Sequence, residues 1–146
     1  MPAAPSSCRL RRGRYSEVNR VYLITTVTRN REPVFRSFEH ARWLIRILQR
    51  DEAFGSHETL AFVVMPDHFH WLLQLKCGSL SELVGRVKSL SARRVGRPIW
   101  QDGFHDRLIH RDEDLLAVAR YVVANPIRAG LASRLAMYPH WDAVWL

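Results

Sequence analysis

Apolar residues recur along this chain in two rhythms. The stretch from Arg20 to Arg29, RVYLITTVTR, is dense in β-branched and aromatic residues and predicts a first strand. ETLAFVVM, from Glu58 to Met65, and HFHWLLQL, from His68 to Leu75, predict a second and a third. Pro66-Asp67 between them predicts a tight reversal that pairs the two antiparallel. A fourth strand falls within Ile99 to His110, after a break at Asp102-Gly103. Between these stretches the rhythm is helical. Ser37 to Glu52 sets Trp43, Leu44, Ile47 and Leu48 at helical spacing, with Ser37 as the N-cap. From Ser79 onward, Leu80, Leu83, Val84, Val87 and Leu90 form an apolar stripe, with Ser79 or Ser81 as the cap and Gly96-Arg97-Pro98 as the stop. Arg111 to Ala124 predicts a last helix, with Asp112, Glu113 and Asp114 in its first turn, where the helix dipole favours acidic groups.

The order strand, helix, strand, strand, helix, strand is that of a ferredoxin-like (RRM-like) α+β fold. Such a fold sets both long helices on one face of an antiparallel sheet and leaves the other face for a further helix or a ligand. A chain of 146 residues fits one domain with a substantial core. The expected division is a flexible basic arm over residues 1–13 and a single domain over 14–146. Pro, Ser and Arg dominate the arm, and Arg9, Arg11, Arg12 and Arg14 lead up to Tyr15.

Alternation along a strand puts positions two apart on the same face. His68 and His70 therefore share one face, with Phe69, Trp71 and Leu73 on the other. Two parallel imidazoles are half of a metal site; two hydrogen-bonded histidines on an edge strand are the plainer alternative. On the last helix, at about 100° per residue, Leu116, Val118, Ala119, Val122 and Val123 fall in one arc. Tyr121 and Asn125 lie outside it, one turn apart on the same side. A half-exposed packing tyrosine fits the same pattern, and Asn125 before Pro126 can equally cap a following turn.

Charge narrows the partners. The chain has 22 basic and 14 acidic residues, a net charge of +8. That favours a polyanion, most simply nucleic acid, with an anionic membrane surface second. Apart from Lys76 and Lys88 the basic residues are arginines, whose planar fork grips phosphate; a GC-rich genome produces the same bias. Arg86, Lys88, Arg93 and Arg94, on the outer face of the second helix, join the arm as candidate DNA contacts. Cys8 and Cys77 form no metal-spacing motif and fit a reducing, intracellular setting. The first residues lack the apolar core of a secretory signal, and no apolar run approaches membrane-spanning length.

Three segments in order, MPDHFHWLLQL, WQDGFHDRLI and ARYVVANPIRAGL, resemble the REP-associated tyrosine transposases, as does the opening RRGRYSEVNRVYLITTVTRN. These are bacterial relatives of the single-tyrosine transposases that act on single-stranded DNA. The resemblance runs from about Arg11 to Leu131. It implies the HUH endonuclease core, with His68-Phe69-His70 as the histidine motif and Tyr121 as the catalytic nucleophile. It also implies Asn125 as a third metal ligand, where close relatives often have Gln, and Mg²⁺ or Mn²⁺ as cofactor. By softness two imidazoles suit Mn better than Mg. The implied activity is metal-dependent cleavage and rejoining of single-stranded DNA at repeated extragenic palindromic hairpins, through a 5′-phosphotyrosine. The implied setting is the bacterial cytoplasm, with nucleoid association, as a monomer or homodimer with no membrane partner. His105 and Asp106 have no assigned role; they support the metal site, contact DNA or shape their strand. Two other readings compete: a non-catalytic hairpin DNA- or RNA-binding domain, and a zinc hydrolase using the histidine pair.

Overall fold

Five antiparallel strands form one sheet in the computed structural model, which describes residues 16–144. They are β1 (Val21–Val27), β2 (His57–Met65), β3 (His68–Leu75), β4 (His105–Ile109) and β5 (Trp141–Ala143), in the order β4-β1-β3-β2-β5. The helices are α1 (Phe38–Ala53), α2 (Leu80–Val95), α3 (Leu115–Val123) and the short α4 (Asn125–Arg128). The first four strands take the ferredoxin-like arrangement. β5 adds to the outer edge of β2 and shields what would otherwise be an open row of backbone groups.

Local chemistry sets most boundaries. Met65 pairs with His68, so Pro66 and Asp67 alone make the turn between β2 and β3. Ser37 caps α1 by accepting from the His40 amide. Ser79 and Glu82 form a reciprocal capping box at the start of α2, and Gly96 ends that helix at φ 99°, a backbone state that suits glycine. The last long helix starts later than its composition predicts. Asp114 is its N-cap, accepting from the Ala117 amide. Glu113 instead turns back to accept from the His110 amide and from Arg107. The acidic run therefore precedes α3 rather than filling its first turn, because short acidic side chains hold backbone amides better at a cap than inside a helix.

The two faces of the sheet are covered differently. α1 and α2 pack Leu44, Ile45, Leu48, Leu83 and Val87 onto Tyr22, Ile24, Phe69, Trp71 and Leu73. On the opposite face α3 sets Ala119 and Val123 against Leu72, and Val122 against Val63 and Met65. The C-terminal segment packs on the body: Trp141 donates its indole N–H to the Leu135 carbonyl, and Tyr138 donates its hydroxyl to the Val64 carbonyl. Arg9, Arg11, Arg12, Arg14 and Trp145 lie outside the described residues. No described helix is long and apolar enough to cross a membrane.

Candidate active site

β3 carries the two histidines on the face that α3 covers. His70 pairs across the ladder with Thr25 of β1 and Val63 of β2, and His68 with Val27 and Met65. The rings meet edge-on, with centroids 4.9 Å apart and planes at 78°. In each ring Nδ1 is engaged. His68 Nδ1–H donates to Asp67 Oδ1 at 2.7 Å, and Arg31 donates to the other oxygen of that carboxylate at 2.9 Å. Burial alone would raise Asp67, but the His68 hydrogen bond, the His68 charge and Arg31 together outweigh it and hold the carboxyl below its ordinary value. A carboxylate can only accept, so neutral His68 carries its proton on Nδ1 and its lone pair on Nε2. His70 Nδ1 lies 2.8 Å from Thr25 Oγ1. Burial, then the neighbouring His68 and Arg128, push His70 down to about 4. His70 is thus neutral at physiological pH, the state in which imidazole binds metals.

The packing of α3 brings the tyrosine to the same part of the sheet. Val122 sits on Val63 and Met65, which are the strand partners of His70 and His68. Tyr121 precedes it in the chain and is 64% exposed, outside the packed arc as the helical spacing predicts. The Arg128 guanidinium stacks on the Tyr121 ring, with Cζ 3.8 Å from its centroid. The guanidinium stacked on the phenol thus also adds positive charge at His70. Sequence reasoning missed Arg128, although its offset of seven residues from Tyr121, two helical turns, was available as a signal.

Asn125 is half-buried and opens α4, but it is not the cap that its position before Pro126 allows. Ala124 is the N-cap residue, and no side chain caps this turn. α3 passes into α4 with Ala124 still helical, at φ −79° and ψ −1°, so the chain needs no capping amide here. The Asn125 side chain makes no hydrogen bond among the described residues. Among those residues no cluster of three or more His, Cys, Asp or Glu is placed to hold a metal. The histidine pair offers two imidazole nitrogens. A divalent first-row ion fits that set.

Across the sheet His105 pairs with Thr25, and Asp106 with Ile24. Directly paired residues share a face, so His105 stands on the histidine face with Thr25 between it and His70. At ~4.8 Å per strand, roughly 10 Å of sheet separates the two. Asp106 belongs with Ile24 on the helix-covered face, away from the histidine pair.

The basic residues of α2 divide in two. Arg86 donates twice to the Asp51 carboxylate, at 3.1 and 3.0 Å. Lys88 donates to the carbonyls of Gln101 and Gly103 and ties down the loop before β4; burial pulls its pKa below the ordinary lysine value. Arg93 and Arg94 are exposed. So are Arg46 and Arg50 of α1, which a reading of that helix for its apolar face alone passes over.

Residues 17–125 match the family described as Transposase IS200 like. A Haemophilus influenzae protein assigned as a REP-associated tyrosine transposase is 26% identical over 100 aligned positions, and the match covers 57% of this chain and 57% of that protein. The chain thus spans little more than half of that relative's length. A solved structure described as a REP-associated tyrosine transposase bound to a REP hairpin has a TM-score of 0.77 at 22% identity, covering 90% of this chain and 81% of its own. A transposase structure from Deinococcus radiodurans R1 has a TM-score of 0.52 at 20% identity, covering 80% and 97%. Both have the fold described above.

Proposed function

The chain belongs to the IS200-like transposase family, and on that premise we propose that it cuts and rejoins single-stranded DNA beside palindromic hairpins, with Tyr121 as the nucleophile. The observation that carries this reading is the packing of Val122, next to Tyr121, on Val63 and Met65, the strand partners of His70 and His68, with the Arg128 guanidinium stacked on the Tyr121 ring. The hairpin preference follows the description of one similar solved structure, which names a REP hairpin.

The Tyr121 oxygen attacks phosphorus and loses its proton. The phosphorus–O3′ bond breaks, O3′ takes up a proton, and the strand's 5′ end remains on the enzyme as a phosphotyrosine. That ester retains the energy of the cleaved linkage, so a second 3′-OH can displace the tyrosine and join new ends without ATP. Asp67 holds His68 in the tautomer that presents Nε2, and the Thr25 hydroxyl, 2.8 Å from His70 Nδ1, fixes the orientation of that ring without dictating its tautomer. His68, His70 and Asn125 would hold Mn²⁺ or Mg²⁺, which when bound polarises a non-bridging phosphate oxygen and offsets the charge of the transition state. Arg128 adds a fixed positive charge where the phosphate must approach. A tyrosine acting in cis needs only a monomer; one supplied in trans needs a homodimer. Residues 14–146 then form the catalytic unit, and the arginines at 9, 11, 12 and 14 add phosphate contacts.

The test is incubation of the protein with a labelled single-stranded hairpin oligonucleotide and Mn²⁺. The expected product is a protein–DNA adduct that survives denaturant, is absent from Tyr121→Phe, and falls at least ~100-fold in His68→Ala. Cleavage that persists in Tyr121→Phe would mean hydrolysis at the histidine pair. Binding with no cleavage under any divalent ion would mean a binding domain.

A further inference from the structure

On the helix-covered side of the sheet, facing away from His68 and His70, a groove of about 470 Å³ runs between α1 and α2. Its floor is apolar and includes Trp43 and Leu90; its rim is Arg46 and Arg50 from α1 and Arg93 and Arg94 from α2. No carboxylate lines it. None of the four guanidiniums forms an ion pair among the described residues, whereas Arg20, Arg31, Arg86, Arg97 and Arg107 each have a carboxylate partner. The chain has acidic side chains and places them elsewhere. Four like charges around one cleft raise the local potential and draw in an anion. Trp43 is set for stacking: Arg94 lies 4.5 Å over its ring, and the His40 ring sits beside it at 5.2 Å.

We propose that this groove binds an unpaired segment of one or two nucleotides, with a base stacked on Trp43 and the flanking phosphates held by Arg46, Arg50, Arg93 and Arg94. The inference rests on the reading that the chain handles single-stranded DNA, and it adds a second grip on the strand, on the face away from the cut. A cleft within the ~300–1,000 Å³ range of small-ligand sites takes a nucleotide or two but not a duplex stem. An aromatic floor under a guanidinium rim is the combination by which single strands are held without regard to sequence. A base that slides onto Trp43 displaces Arg94 and releases its guanidinium to a phosphate. The strand must then pass round an edge of the sheet to reach Tyr121, so the gripped segment lies several nucleotides from the scissile bond.

The full chain is titrated into a labelled oligothymidylate with no hairpin and no divalent metal, and anisotropy is followed across salt concentrations. Arg46→Gln/Arg50→Gln should weaken binding at least tenfold at low salt. It should also make the slope of log affinity against log salt shallower by about 1.4, at ~0.7 per single-strand phosphate contact. Binding should quench tryptophan fluorescence, and Trp43→Phe should remove that quench. Unchanged affinity and slope in the double variant overturns the proposal, as does a duplex or a glutamate-rich peptide that competes as well as the oligonucleotide. Failure here is separable from failure of cleavage. A double variant that binds like wild type while wild type still forms the tyrosine adduct sinks the groove alone. Groove-dependent binding in a protein that never forms the adduct supports the groove and sinks the nuclease.

Discussion

On the face of the sheet that α1 and α2 cover, Phe69, Trp71 and Leu73 are almost wholly withdrawn from solvent; on the other, the intervening positions His68 and His70 are not. The helix-covered face is a continuous core of large side chains from two long helices, β1, β2 and β3. The opposite face divides into two smaller apolar clusters under the nine-residue α3. The difference shows how one strand serves two purposes. The odd-numbered residues of β3 belong to the large core, and His68 and His70 are carried on that backing, on the face that α3 covers. A site built on a central strand inherits the precision of the core behind it.

The largest expected effect comes from breaking the packed face. Trp71 is fully buried and donates its indole N–H to Thr59 at 2.9 Å. Trp71→Ala should cost about 3–5 kcal/mol in urea unfolding. Val122→Ala, on the histidine side, should cost roughly 1.5–2 kcal/mol and, on the proposed reading, should slow adduct formation more than its stability loss explains. Equal stability losses in the two variants would mean that the faces are equally packed and that the asymmetry is wrong.

Acid probes the same face without removing bulk. His57 lies at the start of β2, its ring edge-on to Trp71. Its Nδ1 lies 2.8 Å from Ser56 Oγ, which also reaches the Asp51 carboxylate at 2.7 Å. Its Nε2 lies 3.1 Å from Thr59 Oγ1, which already accepts from Trp71. The Ser56 hydroxyl donates to Asp51, so His57 Nδ1–H donates to Ser56 Oγ, and burial favours the neutral ring. Burial pushes its pKa down to about 4, against the opposing pull of Asp51. The unfolded chain takes up this proton near 6.5 and the folded chain only near 4. Stability should therefore fall as pH drops through that window, by roughly 3 kcal/mol from His57 alone. His57→Gln should remove about half of the total dependence, because His70, also lowered to about 4, contributes a similar share. A variant with the full wild-type slope would exclude His57 as its source.

These cases show which parts were legible in the chain. β2, the Pro66-Asp67 turn and β3 are readable because alternation is local: Phe69, His70 and Trp71 declare their faces by position alone. Tyr121 is readable as an outlier because the apolar arc of α3 is complete without it. β5 was not readable, since three residues pairing with β2 some eighty positions away leave no periodic trace. Nor was the division of the α2 cations, because Asp51, which engages Arg86, and the Gln101 and Gly103 carbonyls, which engage Lys88, come from elsewhere in the chain. The four-arginine groove was hidden for the same reason: each helix supplies half, and neither half departs from an ordinary solvated face.

Asp67 sharpens the comparison on the site's side. Asp67→Asn keeps the shape but allows its amide to donate toward His68 Nδ1, which favours the wrong tautomer. Mn²⁺ affinity, measured by calorimetry, should fall about 10–100-fold. Thr25→Val should do less, because the Thr25 hydroxyl serves either tautomer of His70 and so enforces neither. If Asp67→Asn binds Mn²⁺ as wild type does, the carboxylate serves Arg31 and the turn rather than the imidazole.

Arg128 should show the smallest change in stability and the most specific change in chemistry. It is exposed, and a cation over an exposed ring contributes ~0.5–1 kcal/mol, so Arg128→Ala should unfold within 1 kcal/mol of wild type. Adduct formation should nonetheless slow by about tenfold, because the positive charge on the Tyr121 ring, which also acts on His70, is gone. Arg128→Lys keeps the charge and loses the flat stack. Partial recovery with lysine assigns the effect to the charge on the approaching phosphate; no recovery assigns it to the plane that holds the Tyr121 ring. An Arg128→Ala protein that cleaves at the wild-type rate would reduce the guanidinium to a cover on an exposed ring, and the link it makes between α3 and the histidine strand would carry no chemistry.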